Sequence, residues 1–413
     1  MQRYSIRKCL NIPHYKVTAV ISDNAQQIHL RLESYKRKAF ICSECKQIHK
    51  KGHHKDVAVV VEDLALMGKR VYLHIVKRHF HCPMDKRIHA EDISWVSKWS
   101  RVTKRLAEHI SRLTAITTNQ EAGWFLGFND EVIYRIDKEI LEEKAHQKLE
   151  PPPGAVNISV DEVSYRKYYQ YLTNVIDTDR RLIIWNSQGR KAEVLDKYYR
   201  GIGPDNCQKI ESVALDGART YISSTSKYAV KALIVYDRFH IMQKLNHTVD
   251  TVRKQELDNA RTIHNDELVE LINCRQRFVL LKNQSRLTDK QSEHLKKLCT
   301  LNEPIYKAML LKESFLQIYS YEKVEEAEQC LKNWIKEARD SAIIAFKDLA
   351  KSFEDKMPYI LNWFKKRISS SISEGFNNKI KRLKAMAYGY KDIDYFLLKI
   401  HQHCGLLNPK LAT

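Results

Sequence analysis

No apolar run among the 413 residues approaches the length needed to cross a bilayer, and Met1 to Leu10 has no signal-peptide core. The expected protein is therefore soluble, cytoplasmic and without a membrane partner. Acids are also short: 50 Asp and Glu stand against 70 Lys and Arg, a formal charge of +20. Such an excess needs a polyanion or salt to disperse it, and phosphate backbone is the favoured partner over an anionic membrane surface. The nine cysteines are odd in number, which argues against a disulfide framework and leaves metal binding or burial to explain them. Glycine is scarce from Ile241 to about Phe364, where apolar positions recur at helical spacing.

What is present falls into several domains, as 43% hydrophobic content over this length allows. Residues 1–95 read as an N-terminal module. Val17 to Ile21 and Ile28 to Leu32 alternate as a hairpin, and Val57 to Ala65 and Lys69 to Val76 read as two further strands. Cys42-Ser43-Glu44-Cys45 spaces two thiolates to reach one tetrahedral zinc, and Cys82 offers a third. His89, Asp85, His81 and His49 could each supply the fourth ligand, and His89 is preferred because it follows the Cys82 turn. A reduced cysteine pair on a surface turn is the competing reading. Cys9, Cys207, Cys274, Cys299, Cys330 and Cys404 are scattered singly, as core residues are.

Residues 100–148 change to a helical period, with Leu106, Ile110 and Leu113 on one face and Val132, Ile136 and Ile140 on another. Between them, Gly127-Phe128-Asn129-Asp130 can end one helix and cap the next, the turn chemistry of a helix-turn-helix. Tyr134, Arg135 and Lys138 would then face the major groove. Three-helix packing without a DNA role is the alternative. The triple proline at Pro151 to Pro153 marks a linker.

Beyond it, three apolar β-branched runs each close on an acid: Asn157 to Asp161-Glu162, Lys209 to Asp216, and Lys231 to Asp237. A strand that ends in a carboxylate can present it to a metal at the rim of a sheet. Hairpin strands at Tyr168 to Ile176 and Arg181 to Trp185 follow the first run, and helices near Lys191 to Tyr199 and Arg219 to Ser226 separate the others. That order predicts an α+β chain whose residues 154–245 form a ribonuclease H-like mixed sheet with the first strand central. Asp161 and Asp216 would then stand about 5 Å apart on neighbouring strands. Residues 246–364 read as an all-α insertion, and residues 365–413 as the closing helices of the same domain. There Glu374, Asn378 and Lys381 share a helix face among many cations, Lys379 and Arg382 included.

The strings Ser159-Val160-Asp161-Glu162, Leu215-Asp216-Gly217-Ala218-Arg219-Thr220-Tyr221, Asp237-Arg238-Phe239-His240 and Glu374-Gly375-Phe376-Asn377-Asn378-Lys379-Ile380-Lys381, closing on Ala387-Tyr388-Gly389-Tyr390, resemble the bacterial ISL-three family of insertion-sequence transposases. The resemblance spans nearly the whole chain. It implies a DDE transposase that binds terminal inverted repeats as a dimer or higher oligomer, at the bacterial nucleoid. Cleavage and strand transfer would use two divalent ions, Mg2+ or Mn2+, about 3.5 to 4 Å apart. Asp161, Asp216 and Glu374 are the implied ligands, with Asp237 and His240 as a supporting pair, or Asp237 in place of Asp216. Structural Zn2+ is implied for the N-terminal module, although the family's second knuckle has two cysteines where this chain has only Cys82. Lys379, Lys381 and Arg382 are expected to bind DNA. The alternative is a transposase-derived DNA-binding regulator without catalytic activity.

Overall fold

The computed structural model describes residues 10–35, 39–98, 101–166, 170–273, 277–282, 286–368 and 371–411. Cys9, Cys274 and Tyr168, named above, lie outside these. The chain divides into two compact units: Met1–Lys148 with Met386–His403 and Leu407–Thr413, and Leu149–Ala385 with Cys404–Leu406. Among the described residues no helix is long and apolar enough to cross a membrane.

In the first unit, β1 (Tyr15–Asp23) and β2 (Gln27–Ser34) form the expected hairpin, whose turn is held by Asn24 Oδ1 accepting from the N–H groups of Gln26 and Gln27. One short antiparallel pair, β3 (Phe40–Ile41) with β4 (Ile48–His49), precedes a long hairpin of β5 (His53–Leu66) and β6 (Lys69–His81). The long hairpin turns at Met67-Gly68, where both residues take positive φ. The sheet order is β1-β2-β6-β5, and β7 (Ile88–Ala90) pairs with the end of β6. Alternation turns Leu30, Leu32, Val71, Leu73 and Ile75 to one face, and that face is the core.

Three helices follow: α1 (Lys104–Leu113), α2 (Asn119–Leu126) and α3 (Asp130–Lys148). Thr103 caps α1 and donates to the buried Asp63 of β5 at 2.7 Å, while Arg105 makes a paired contact with the same carboxylate. Thr118 and Glu121 form a capping box on α2. Gly127, at φ 71°, ends that helix, and Asn129 Oδ1 accepts from the Glu131 N–H to start the next.

The C-terminal helix Ile393–Cys404 belongs here, which corrects the expectation that residues 365–413 stay together. The reason is a buried polar network. Lys399 Nζ reaches Asp137 Oδ2 of α3 at 3.0 Å and the Thr114 carbonyl at 2.8 Å, and Tyr395 donates to Asp137 at 2.6 Å. Burial pushes the Lys399 ammonium down and Asp137 opposes it. A lysine this deep is tolerable only beside its partner, so α3 and the last helix are bound as one piece.

The second unit is built on a five-stranded sheet, in the order β10 (Leu182–Gln188), β9 (Gln170–Asp177), β8 (Asn157–Arg166), β11 (Ser212–Leu215), β12 (Leu233–Tyr236). The first strand in sequence is central. It pairs antiparallel with β9 and parallel with β11, and β11 runs parallel to β12. Helices α4 (Ala192–Ile202) and α5 (Arg219–Tyr228) connect the strands and bury Leu195, Tyr198, Tyr199 and Tyr221 against Ile158, Val160 and Val213. After β12 comes α6 (Arg238–Thr262), then helices from Asp266 to Lys365 with a core through Val249, Phe315, Trp334, Phe346 and Phe353. That core is continuous with Tyr236. Its last helix, Met357–Lys365, returns to the edge strand, where Asn362 Nδ2 donates to the Ile234 carbonyl at 2.8 Å.

Burial opposes ionisation of Asp392, but Lys138, Tyr134 and the Tyr395 N–H donate to it and bring its carboxyl down to about 2. A depressed carboxyl stabilises the fold above its unfolded value near 4, and this contribution is lost as pH falls through the folded value. Asp392→Asn is expected to cost about 1–2 kcal/mol at pH 7. Denaturant titrations of both proteins from pH 7 to pH 2 should show that difference shrinking only below about pH 4.

Candidate active site

The three acids owe their placement to register. Ala214 lies opposite Ser159, and Leu215 opposite Tyr236. Two residues on from Ser159 in β8 is Asp161; two on from Ala214 is Asp216; one on from Tyr236 is Asp237. The three therefore sit level on adjacent parallel strands, which run about 4.8 Å apart; Asp216 and Asp237 directly follow β11 and β12, whereas β8 does not close on Asp161 and Glu162 as expected but runs on to Arg166, held by its pairing with β9. Asp161 and Asp237 are buried, while Asp216 is partly exposed. Asp237 is also committed as the cap of α6, its Oδ1 accepting from Phe239 N–H at 3.0 Å.

Burial pushes the Asp161 carboxyl above its ordinary value. His240, 3.8 Å from Oδ1, and the Glu162 N–H work against this, while Asp216 and Asp237 add to it. His240 also stands 3.6 Å from Asp237, so one imidazole bridges two of the acids. Glu162 is raised as well, chiefly by burial and against a hydrogen bond with Tyr221. It lies on the other face of the strand by alternation.

Glu374 lies in the first turn of the helix Ser371–Met386 and is half-buried. On either side of it in sequence, Ser373 meets Ser159 at 2.9 Å and Asn377 donates to Asp161 Oδ2 at 2.8 Å. That helix end is thus pinned along β8. Asn377 was missed in the sequence, where Asn378 was placed on the functional face; Asn378 is exposed. Asn174, opposite Asp161 on β9, was missed too: it is buried, and neither of its amide atoms has a partner.

The carboxylates of Asp161, Asp216 and Glu374 do not gather to within 4.8 Å of one another; among the described residues only one group of possible metal ligands does so, and it is in the other unit. The donor chemistry still suits a hard cation. All three acids offer oxygen, they repel one another, and the Asn174 amide beside them is free to bind ordered water.

Gly217, next to Asp216, is required by the backbone. Its φ is 78°, and a Cβ there would lie 2.9 Å from the Tyr236 ring. Lys244 and Lys356 stand over that same ring, 5.2 and 5.3 Å from its centroid. Burial and the neighbouring Lys244 push the Lys356 ammonium down to about 8, against the attraction of Asp216.

The tight ligand group is Cys42, Cys45, His49 and Cys82. Cys45 and Cys82 sulfurs are 3.7 Å apart, and His49 Nε2 is 3.1 Å from Cys45 and 3.9 Å from Cys82. Two sulfurs bound to one tetrahedral zinc stand roughly 3.8 Å apart, so the set fits that ion. The fourth position is therefore corrected from His89 to His49. His89 instead bonds Asp85 at 2.6 Å. The sequence carried the signal as an internal repeat, Cys42-x-x-Cys45-Lys46-x-Ile48-His49 and Cys82-x-x-Asp85-Lys86-x-Ile88-His89. Both copies fold alike: Lys46 and Lys86 have positive φ and donate to the Cys42 and Cys82 carbonyls. In the second copy an aspartate replaces the cysteine and captures its own histidine.

Of the residues expected to read DNA, Tyr134 and Lys138 both donate to Asp392, each at 2.6 Å. Arg135, Lys379, Lys381 and Arg382 are exposed.

The level carboxylates and the knuckle pair define the class of protein. A family model of DDE transposases of the ISL3 type matches residues 158–400, and a model described as the zinc-finger of the transposases IS204, IS1001, IS1096 and IS1165 matches residues 38–84. The chain belongs to the ISL3 family of transposases. It is 29% identical over 365 residues to the transposase for insertion sequence element IS1001 of Bordetella parapertussis, covering 88% of both chains. It is 27% identical over 254 residues to the transposase for insertion sequence element IS1557 of Mycobacterium tuberculosis, covering 57% of this chain and 56% of that one.

Metal analysis of purified protein is expected to find one zinc per chain. His49→Ala should lose most of that zinc and lower the melting temperature, whereas His89→Ala should keep it; the reverse pattern would restore His89 to the site.

Proposed function

We propose that this chain binds the terminal inverted repeats of its insertion sequence and catalyses metal-dependent DNA cleavage and strand transfer. The five-stranded sheet is read as a ribonuclease H-like catalytic domain, with Asp161, Asp216 and Glu374 holding two Mg2+ or Mn2+ ions. The observation that carries this is the register that sets Asp161 and Asp216 level on neighbouring parallel strands, beside a helix end bound to β8 through Ser373 and Asn377. Bound ions would activate the attacking oxygen and stabilise the leaving one.

The protein's own groups orient and balance charge. Asn377 fixes Asp161 Oδ2, leaving Oδ1 towards His240. Asp216 is the better ligand than Asp237, because it is accessible and its backbone-bound oxygen leaves the other free, while Asp237 is buried in its capping role. Asp237 and His240 then act as supports. The three-helix segment is read as a helix-turn-helix in which Arg135 contributes to DNA contact, with Lys379, Lys381 and Arg382 as phosphate contacts. Joining two element ends calls for a dimer or higher oligomer on DNA.

Mg2+-dependent cleavage and joining of DNA bearing the element's own ends tests this. Asp161→Asn, Asp216→Asn and Glu374→Gln are each expected to lose at least about a thousandfold in rate while binding DNA within a few-fold of wild type. If Asp237→Asn is dead and Asp216→Asn active, the second ligand is Asp237. A folded wild type that binds the ends but neither cuts nor joins them would instead be a regulator.

A further inference from the structure

We infer that Lys244 and Lys356 form a phosphate clamp that holds the DNA backbone beside the Asp216 end of the site. The two come from distant parts of the chain: Lys244 from the second turn of α6, Lys356 from the break between the helices Ile344–Glu354 and Met357–Lys365. Both ammoniums lie over one aromatic ring, that of Tyr236, and the same ring packs close to Gly217, the residue after Asp216. The clamp therefore stands one side chain away from a strand-end acid.

Two like charges gathered on one ring repel each other, and the ring quadrupole offsets that only in part. Among the described residues neither ammonium has a carboxylate within 4 Å, although half-buried Arg70, Arg78 and Lys138 are each paired with one. Both lysines are half-buried rather than extended into solvent. A pair so placed is completed by an anion with several oxygens, and the polyanion that a transposase handles is DNA. A phosphodiester accepts from two lysines at once without needing the planar fork of arginine. Held there, a phosphate other than the scissile one would fix which bond meets the carboxylates. The lysines are positioning residues, and the all-helical insertion gains a role: it carries one jaw of the clamp.

This inference rests on the proposed cleavage reaction for its purpose, but its test does not. Binding of duplex carrying the element's ends would be measured against salt for wild type, Lys244→Gln, Lys356→Gln, the double variant and Lys356→Arg. Loss of one phosphate contact is expected to lower the slope of log affinity against log salt by about 0.9 in the double variant, with Lys356→Arg close to wild type. In parallel, single phosphates near the cleavage site would be replaced by neutral methylphosphonates. One position should weaken wild type several-fold and leave the double variant unaffected. An unchanged slope, or a methylphosphonate effect equal in both proteins at every position, overturns the clamp. Because binding is the readout, a wild type that fails to cut DNA would refute the catalytic reading while the clamp is still decided.

Discussion

Repulsion between carboxylates held at one level is the constraint around which the second unit is arranged. Parallel pairing of β8, β11 and β12 sets Asp161, Asp216 and Asp237 side by side, and a slip of one residue in any strand would carry its aspartate to the opposite face of the sheet. The surroundings answer the resulting charge. His240 lies between Asp161 and Asp237, the Asn377 amide donates to Asp161, and backbone N–H groups reach an oxygen of each aspartate. On the proposed reading, a divalent cation would balance the charge that these donors leave.

The same economy of partners governs the first unit. Each buried charge there has a named counterpart: Asp63 with Arg105 and Thr103, Asp137 with Lys399, Glu91 with Arg78. These pairs decide connectivity more than they decide stability, since a buried pair contributes little over an apolar one while a broken pair is costly. Lys399 is the clearest case, because it ties the last helix to α3. Asp392 binds Tyr134, Lys138 and the Tyr395 N–H in the same way.

In the zinc module, two copies of one eight-residue pattern have diverged at a single ligand position. Cys45 faces the cluster; its counterpart Asp85 faces His89. An aspartate four residues from an imidazole satisfies it locally, and the thiols recruit the other histidine. Residue type at position 85 thus selects which histidine is available, an effect of pairing rather than of distance along the chain.

The alternation of β1, β2, β5 and β6, the three apolar runs that end on Asp161, Asp216 and Asp237, and the helical stretch after Ile241 were all legible in the sequence. They depend on local periodicity and on turn residues such as Gly127, and each element is stabilised chiefly by its own pattern. The family strings carried the candidate acids as well. Three things came only with tertiary structure. Choosing His49 over His89 required knowing where the second knuckle folds; choosing Asn377 over Asn378 required the angle at which one helix crosses β8; and seeing Lys244 beside Lys356 required packing of segments over a hundred residues apart. Composition, period and motif are properties of neighbours in sequence, and so the chain alone determined which elements form and which acids they carry, while pairing with β9 decided that β8 runs past Asp161 to Arg166. Which side chains meet across elements was decided by packing and charge pairing, because those energies exist only once distant segments are in contact.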